Sequence, residues 1–421
     1  MPTGPLNTRD GLPPAESLHA LDWLNFFLAA TLTGFGPFLA ESLTDRGWMP
    51  ADIGLVLTAS GFAGLFVQAP AGELIDRVKS KQALMATGVA ALILAALIFG
   101  SRTDFLSIFT AAVIQGVAGS GLGPGIAAIS LGLVGHAALA ERLGRNQRFA
   151  SIGGLTAAAV MGGVGYLLSS RDILLLTAAL GVPVLLMLAR LRAGDIHFGR
   201  SCGASDQDSV PLKRTSRMVL FKDRRLLTFA LCLFLFQLAN ASILPLIGEA
   251  LALREGRPSS LVVSALIVVP QLVVALLAPW VGRTANSWGR RPLLLVGLGA
   301  VPIRSGLFAF TADPTLLVLI QMLDGWTAAT LGVLTTLVIA DLTKGTGRFN
   351  LAQGLVGTFS GVGASLSTSV SGFVVERFGQ TSGFLTVTAI ALIAIAVLWA
   401  FMPETNASAP RESGTVLSRP A

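Results

Sequence analysis

The sequence predicts an all-α integral membrane protein of about twelve transmembrane helices arranged as two pseudo-symmetric six-helix bundles. Three observations carry that prediction. The 421 residues are 53% hydrophobic and only 13% charged, with a mean hydropathy of +0.72, whereas soluble domains hold about 25% charged residues. Apolar runs of about 20 residues recur from end to end, each long enough to cross a hydrocarbon core of about 30 Å as a helix. The chain also repeats itself at an offset of about half its length. Pro37-Phe-Leu-Ala-Glu41-Ser-Leu43 returns as Pro245-Leu-Ile-Gly-Glu249-Ala-Leu251, Gln115 as Gln321, and Gly72-x-x-x-Asp76 as Gly282-x-x-x-Asn286. Gly144-Arg145 returns as Gly347-Arg348, and the ladder Gly154, Ala158, Gly162 as Gly357, Gly361, Ser365.

Helices are the expected form because lipid forces every backbone polar group to be satisfied internally; the alternation of a membrane β-barrel is absent. Residues 1–21 read as a tail with Pro, Gly and acidic residues but no signal peptide, so the first span is a retained helix. The first bundle, 22–191, holds spans 22–44, 50–72, 82–101, 104–133, 147–168 and 171–191. Span 104–133 is long, and its Gly123-Pro124-Gly125 predicts a bend or break. Residues 192–223, rich in Gly, Ser, Asp, Lys and Arg with Lys213, Arg214 and Arg217 clustered, read as a linker. The second bundle, 224–402, holds spans 224–251, 259–281, 292–311, 314–341, 350–375 and 380–402. The glycine and serine ladders of spans five and eleven are packing faces. The Pro/Ser-rich tail 403–421 reads as disordered. The loops are too short to hold a soluble active site.

The net charge of +7 reflects topology. With the N-terminus inside, most of the 30 Lys and Arg residues fall on cytoplasmic segments, as the positive-inside rule requires. The expectation is a multi-pass protein of the cytoplasmic (inner) membrane with both termini cytoplasmic. The basic residues sit in short loops without a nucleic-acid-binding module, so nucleic acid is not an expected partner. Cys202 in the linker and Cys232 in a span make neither a disulfide nor a metal site. No P-loop, metal spacing or Ser-His-Asp set is present, so no cofactor and no enzymatic chemistry are expected.

Between spans two and three the chain reads Gly72-Glu-Leu74-Ile-Asp76-Arg77-Val-Lys79-Ser-Lys81-Gln-Ala-Leu84. This resembles the signature loop of the major facilitator superfamily, G-x-L-x-D-R-x-G-[RK]-[RK]-x-x-L, with Lys79 in place of a glycine and Ser80 in place of a basic residue. The second half carries a matching copy with Gly282, Asn286, Gly289, Arg290 and Arg291, where Asn286 replaces the aspartate. The resemblance covers roughly residues 20–402 and is to poorly characterised bacterial transporters of that superfamily. It implies two bundles working by alternating access. It also implies a cytoplasmic latch in which Asp76 meets the start of span eleven near Asn350 and favours the outward-facing state. Two marks of the proton-driven drug antiporters are missing: Ala112 stands where span four would carry arginine, and Gly162-Gly163-Val-Gly165 lacks a proline.

Charges inside a bilayer are costly and call for a reason. Arg304 in span nine and Asp324 in span ten lie at similar depth and are expected to pair, either to hold two helices or with Asp324 as a proton or solute site. The resemblance places spans one, four, seven and ten around the cavity. Gln115, Gln321, Asn25, Gln237, Asn240 and Trp326 are therefore the remaining solute candidates. Glu41 and Glu249 lie at external helix ends, and Asp22 starts span one. The resulting expectation is a secondary transporter for a small solute, functional as a monomer. Efflux of an amphiphilic compound or metabolite, driven by the solute's own gradient or by the proton gradient with Asp324 as the protonated group, is the expected direction; uptake by the same fold and a non-transporting receptor or assembly subunit are the alternatives.

Overall fold

The computed structural model describes residues 14–35, 37–204, 215–248, 260–311 and 313–406. Glu249, the linker stretch 205–214 with Lys213 and Arg214, and the tail from 407 lie outside the described residues. In chain order the helices are α1 (Ala15–Thr33), α2 (Pro37–Asp45), α3 (Pro50–Arg77), α4 (Lys81–Ser101), α5 (Phe105–Leu167), α6 (Ser170–Arg190), α7 (Phe198–Ser201) and α8 (Arg217–Lys222). Then follow α9 (Arg224–Asn240), α10 (Ser260–Trp288), α11 (Arg290–Phe310), α12 (Pro314–Leu342), α13 (Phe349–Phe378) and α14 (Gln380–Phe401). No strand occurs among the described residues.

Ten described helices are long and apolar enough to cross a membrane, the first of them counted over Ala15–Asp45. One of the ten, α5, has 63 residues and would reach about 95 Å if straight, three times a bilayer core. It folds back at Gly135, where φ is 68° and ψ is −179°. Asn146 Nδ2 donates to Ser130 Oγ at 2.8 Å, although 16 residues of continuous helix would separate them by about 24 Å. α5 therefore supplies two crossings, 105–134 and 136–167. α13 is 30 residues long but less apolar than the ten. With it the crossings number twelve.

Three expectations about spans are corrected. The break expected at Gly123-Pro124-Gly125 falls at Gly135, because a helix can run through one proline whereas the reversal needs a positive φ. The first crossing starts at Ala15 and is interrupted at Gly34–Phe35; the seventh is interrupted at the repeat-related 241–242. The tail is ordered at its start: Glu404 accepts from the backbone N–H groups of Arg290 and Arg291 at 2.9 and 3.0 Å. A carboxylate there satisfies the orphan donors at the start of α11.

Within the first group, α1 packs on α5 and α6, and α4 on α5 and α6; in the second, α9 packs on α13 and α14, and α11 on α12 and α14. The halves meet where α3 crosses α13 and where the second arm of α5 crosses α10. These crossings exchange places under the repeat. Glycine makes both possible. A Cβ on Gly72 would lie 2.1 Å from the Asn350 carbonyl oxygen, and one on Gly282 would lie 2.5 Å from that of Ala140.

Candidate functional site

One face of the molecule carries the linker, and the interface is sealed there. α3 continues past Gly72 to Arg77, so Asp76 sits on the last helical turn, wholly buried. Its carboxylate accepts from Asn350 N (3.2 Å), Asn350 Nδ2 (2.9 Å) and Leu351 N (2.9 Å). These are the first-turn amides of α13, whose own N-cap, Arg348, makes no side-chain cap. Asp76 thus caps a helix of the opposite half. Beside it, Glu73 Oε1 meets Arg77 (2.6 Å), Arg217 (2.5 Å) and Arg348 (3.4 Å). Arg77 is exposed. Glu73 is an unspecified position of the motif, and nothing in its spacing announces partners so far along the chain.

The buried Lys81 does more than mark topology. Its Nζ donates to the carbonyls of Ile75 and Val78, capping the C-terminus of α3. The second copy repeats this: Arg290 donates to the Ala285 carbonyl at 2.6 Å and to Asp341 Oδ2 at 3.1 Å. Arg291 donates to the Trp399 carbonyl at 2.5 Å. Gly289, φ 93°, starts α11. Asn286 is exposed, accepts from Arg290 at 3.2 Å, and caps no helix of the opposite half.

About one helical turn, roughly 6 Å, deeper than Gly72 and Asn350 lies a cavity of about 330 Å³ between the halves. Asn25, Gln68, Asn146 and Gln147 line it from the first half, Thr336 and Gln353 from the second. Below Asn146 is a buried ion cluster: Arg142 donates from Nε to Asn146 Oδ1 at 2.7 Å and pairs with Asp22. Arg145 completes the cluster at 2.5 Å from Asp22. Asn25 donates to the Leu21 carbonyl at 2.7 Å.

A second cavity, about 270 Å³, lies within the second half between α9, α10, α11 and α12. It is lined by Asn240, Gln271, Arg304, Gln321 and Asp324 among apolar residues. Arg304 pairs with Asp324 and donates to Asn240 Oδ1. Arg304 Nε and Gln321 Oε1 are buried there without a hydrogen-bond partner. Asp324 and Gly332 are eight residues apart on α12, which separates the two cavities by about 12 Å along the membrane normal.

The other candidates line neither cavity. Gln115 accepts from Ser60 Oγ at 2.7 Å and joins α5 to α3. Trp326 donates to the Val296 carbonyl at 3.3 Å and packs on Trp280, ring centroids 5.7 Å apart; it ties α12 to α11 and α10. Gln237 is half-buried on α9. Sequence reasoning missed Gln68, Asn146, Gln147, Thr336 and Gln353; polar residues on spans two, five and eleven were the available signal.

Two six-crossing bundles that face each other across a polar cavity, shut on one side by a helix cap that the first half places on the second, define a helical membrane carrier. The chain belongs to the major facilitator superfamily, whose family model matches residues 21–254 and 229–420. It is 35% identical over 409 residues, 97% of both chains, to an uncharacterised transporter of this type from Mycobacterium tuberculosis. A shorter likeness, 30% over 141 residues and 34% of each chain, is to a class B tetracycline resistance protein of Escherichia coli. Among solved structures, the human organic anion transporter MFSD10 matches with TM-score 0.71 at 15% identity, covering 91% of this chain and 100% of that one. The proton:xylose symporter XylE matches with TM-score 0.72 at 12% identity, covering 92% and 96%. The protein is a multi-pass membrane transporter and not an enzyme.

Proposed function

We propose that the chain is a secondary active exporter of the inner membrane that binds a small solute in the cavity between its halves. The observation that carries this reading is the position of that cavity. It is lined from both halves and lies one turn inside the Asp76–Asn350 cap, so rocking the halves apart on that side would open it. The linker face is taken as cytoplasmic, in accord with the distribution of Lys and Arg. The sealed state is then outward-facing, and Asp76 weights the balance toward it. Asp324 is assigned the coupling proton: it pairs with Arg304 yet remains partly exposed to its cavity. The export direction rests on the likeness to the tetracycline resistance protein.

The experiment compares metabolites in cells and medium of strains expressing the wild type and Asp324→Asn. A compound enriched in the medium only with wild type is the expected result. In membrane vesicles the same variant should lose uphill transport while keeping solute exchange. Enrichment inside the cells would reverse the direction, and equal accumulation by wild type and variant would remove Asp324 from coupling.

A further inference from the structure

We infer that the cavity between the halves selects an uncharged solute carrying several hydroxyl or amide groups. This rests on the site assigned above and names its chemical class. The polar lining is five amides and one hydroxyl, Asn25, Gln68, Asn146, Gln147, Gln353 and Thr336. Amides offer donors and acceptors together, which suits hydroxyl groups that both give and take. Gln353 Nε2 is buried without a partner. Asp22, three residues from Asn25, is engaged by Arg142 and Arg145, so a cation entering here would find no free carboxylate, and the surplus positive charge of the cluster lies on the half-exposed Arg145, where water screens it from an anion. Two of the amides reach across the interface onto glycines of the second half. A Cβ on Gly332 would lie 2.8 Å from Gln147 Cδ, and one on Gly357 would lie 2.2 Å from Gln68 Nε2. These glycines are the seats that hold the amides in the cavity.

Thermal unfolding of the purified full chain tests this by binding alone, with uridine, xylose and xylitol as neutral probes and tetraphenylphosphonium and succinate as ions. At least one neutral probe should raise Tm by about 2 °C or more. Gln147→Ala and Gly332→Ala should each abolish the rise, and the double variant should lose no more than either. A rise with either ion that Gln147→Ala removes, or no rise with any neutral probe, overturns the inference. Binding without uphill transport would sink the transport reading and leave this one standing.

A separate observation carries a second inference. Residues 192–204, expected as plain linker, are docked on both halves. To the first half, His197 N donates to the Gly132 carbonyl (3.1 Å), Ser17 Oγ to Asp195 Oδ2 (2.6 Å), and the Cys202 thiol to the Asp76 carbonyl (3.2 Å). Lys81 Nζ sits 4.6 Å from the centre of the Phe198 ring. To the second half, Asn350 Nδ2 donates to the Ser201 carbonyl (2.9 Å), Phe349 N to that of Cys202 (3.3 Å) and Gly345 N to that of Gly203 (2.7 Å). We propose that this segment is a strap that stays on the first half and releases residues 345–350 whenever the linker face opens. Gly203 has φ +93°, which an L side chain rarely adopts.

Labelling of Cys202 by N-ethylmaleimide, in full-length Cys232→Ser protein in membranes, reads the strap directly, since the thiol is fully buried while the face is shut. Asp76→Asn, which weakens closure by the loss of charge-assisted bonds, should raise the labelling rate at least about tenfold. Gly203→Ala, which strains the strap at its positive φ and sets a Cβ 3.1 Å from that of Phe349 while leaving the Asp76 carboxylate in place, should raise it too. Rapid labelling in the parent, or an unchanged rate in both variants, overturns the proposal.

Discussion

Replacing Asp76 by asparagine keeps the side chain's shape and removes its charge. The carboxylate faces three N–H donors of Asn350 and Leu351, and an amide can present only one oxygen to them. Charge-assisted hydrogen bonds are worth about 1.5–3 kcal/mol against about 0.5–1.5 for neutral ones, and a charge at a helix N-terminus adds about 0.3–1 kcal/mol. With charge assistance lost on two of the three bonds and the helix-terminus contribution added, the loss comes to about 2–4 kcal/mol. Every one of these bonds joins the first half to the second, so the loss weighs on closure of the linker face and little on the folding of either bundle. At 1.4 kcal/mol per decade, the closed-to-open ratio should fall about 30- to 700-fold. The assay is a pulsed-EPR distance between nitroxides at Lys79→Cys and Lys344→Cys, both exposed positions, with the two native cysteines changed to serine. The expected outcome is growth of a longer distance in the variant. An unchanged distribution would refute the assignment of Asp76 as the bond that holds this face shut.

Gly72→Ala should open the same distance, because its Cβ would sit 2.1 Å from a backbone oxygen that cannot move aside. Gly282→Ala should act likewise through Ala140, while Gly61→Ala, with nothing within 4 Å, should be silent; the EPR pair reads all three. Asp22→Asn would leave the buried Arg142 without its carboxylate, a change worth about 3–5 kcal/mol, and should lower Tm of the purified protein without favouring the open state.

Much of the candidate site was legible from the motif. The pairing of Asp76 with the start of span eleven was implied by the resemblance of the loop to the superfamily motif, and that of Arg304 with Asp324 follows from two opposite charges at similar depth in the bilayer. The amide cavity was not legible in the same way. Gln68, Gln147 and Gln353 lie on spans two, five and eleven, and become lining residues only when α3 and α5 are laid against α12 and α13. Gln115 and Trp326, by contrast, have the depth of site residues but the rotation of packing residues, a distinction that apolar runs do not encode. Glu404 looked like part of a loose tail because its partners, the first amides of α11, are more than a hundred residues earlier.

The sequence by itself determined the membrane class, the twelve crossings and their duplication, since transfer of apolar runs into lipid is a local property that composition records. It also marked Gly72 and Gly282 as points of close helix approach, whereas Gly162 of the span-five ladder meets nothing within 4 Å, and Gly116 and Gly153, which face the carbonyls of Ser60 and Phe26, carried no such signal. Only the tertiary structure decided where the fourth crossing turns back, that one motif copy caps the opposite half while the other does not, and that the first part of the linker lies between the halves. Those outcomes depend on hydrogen bonds between residues far apart in the chain, and such bonds are chosen by the packing of whole helices.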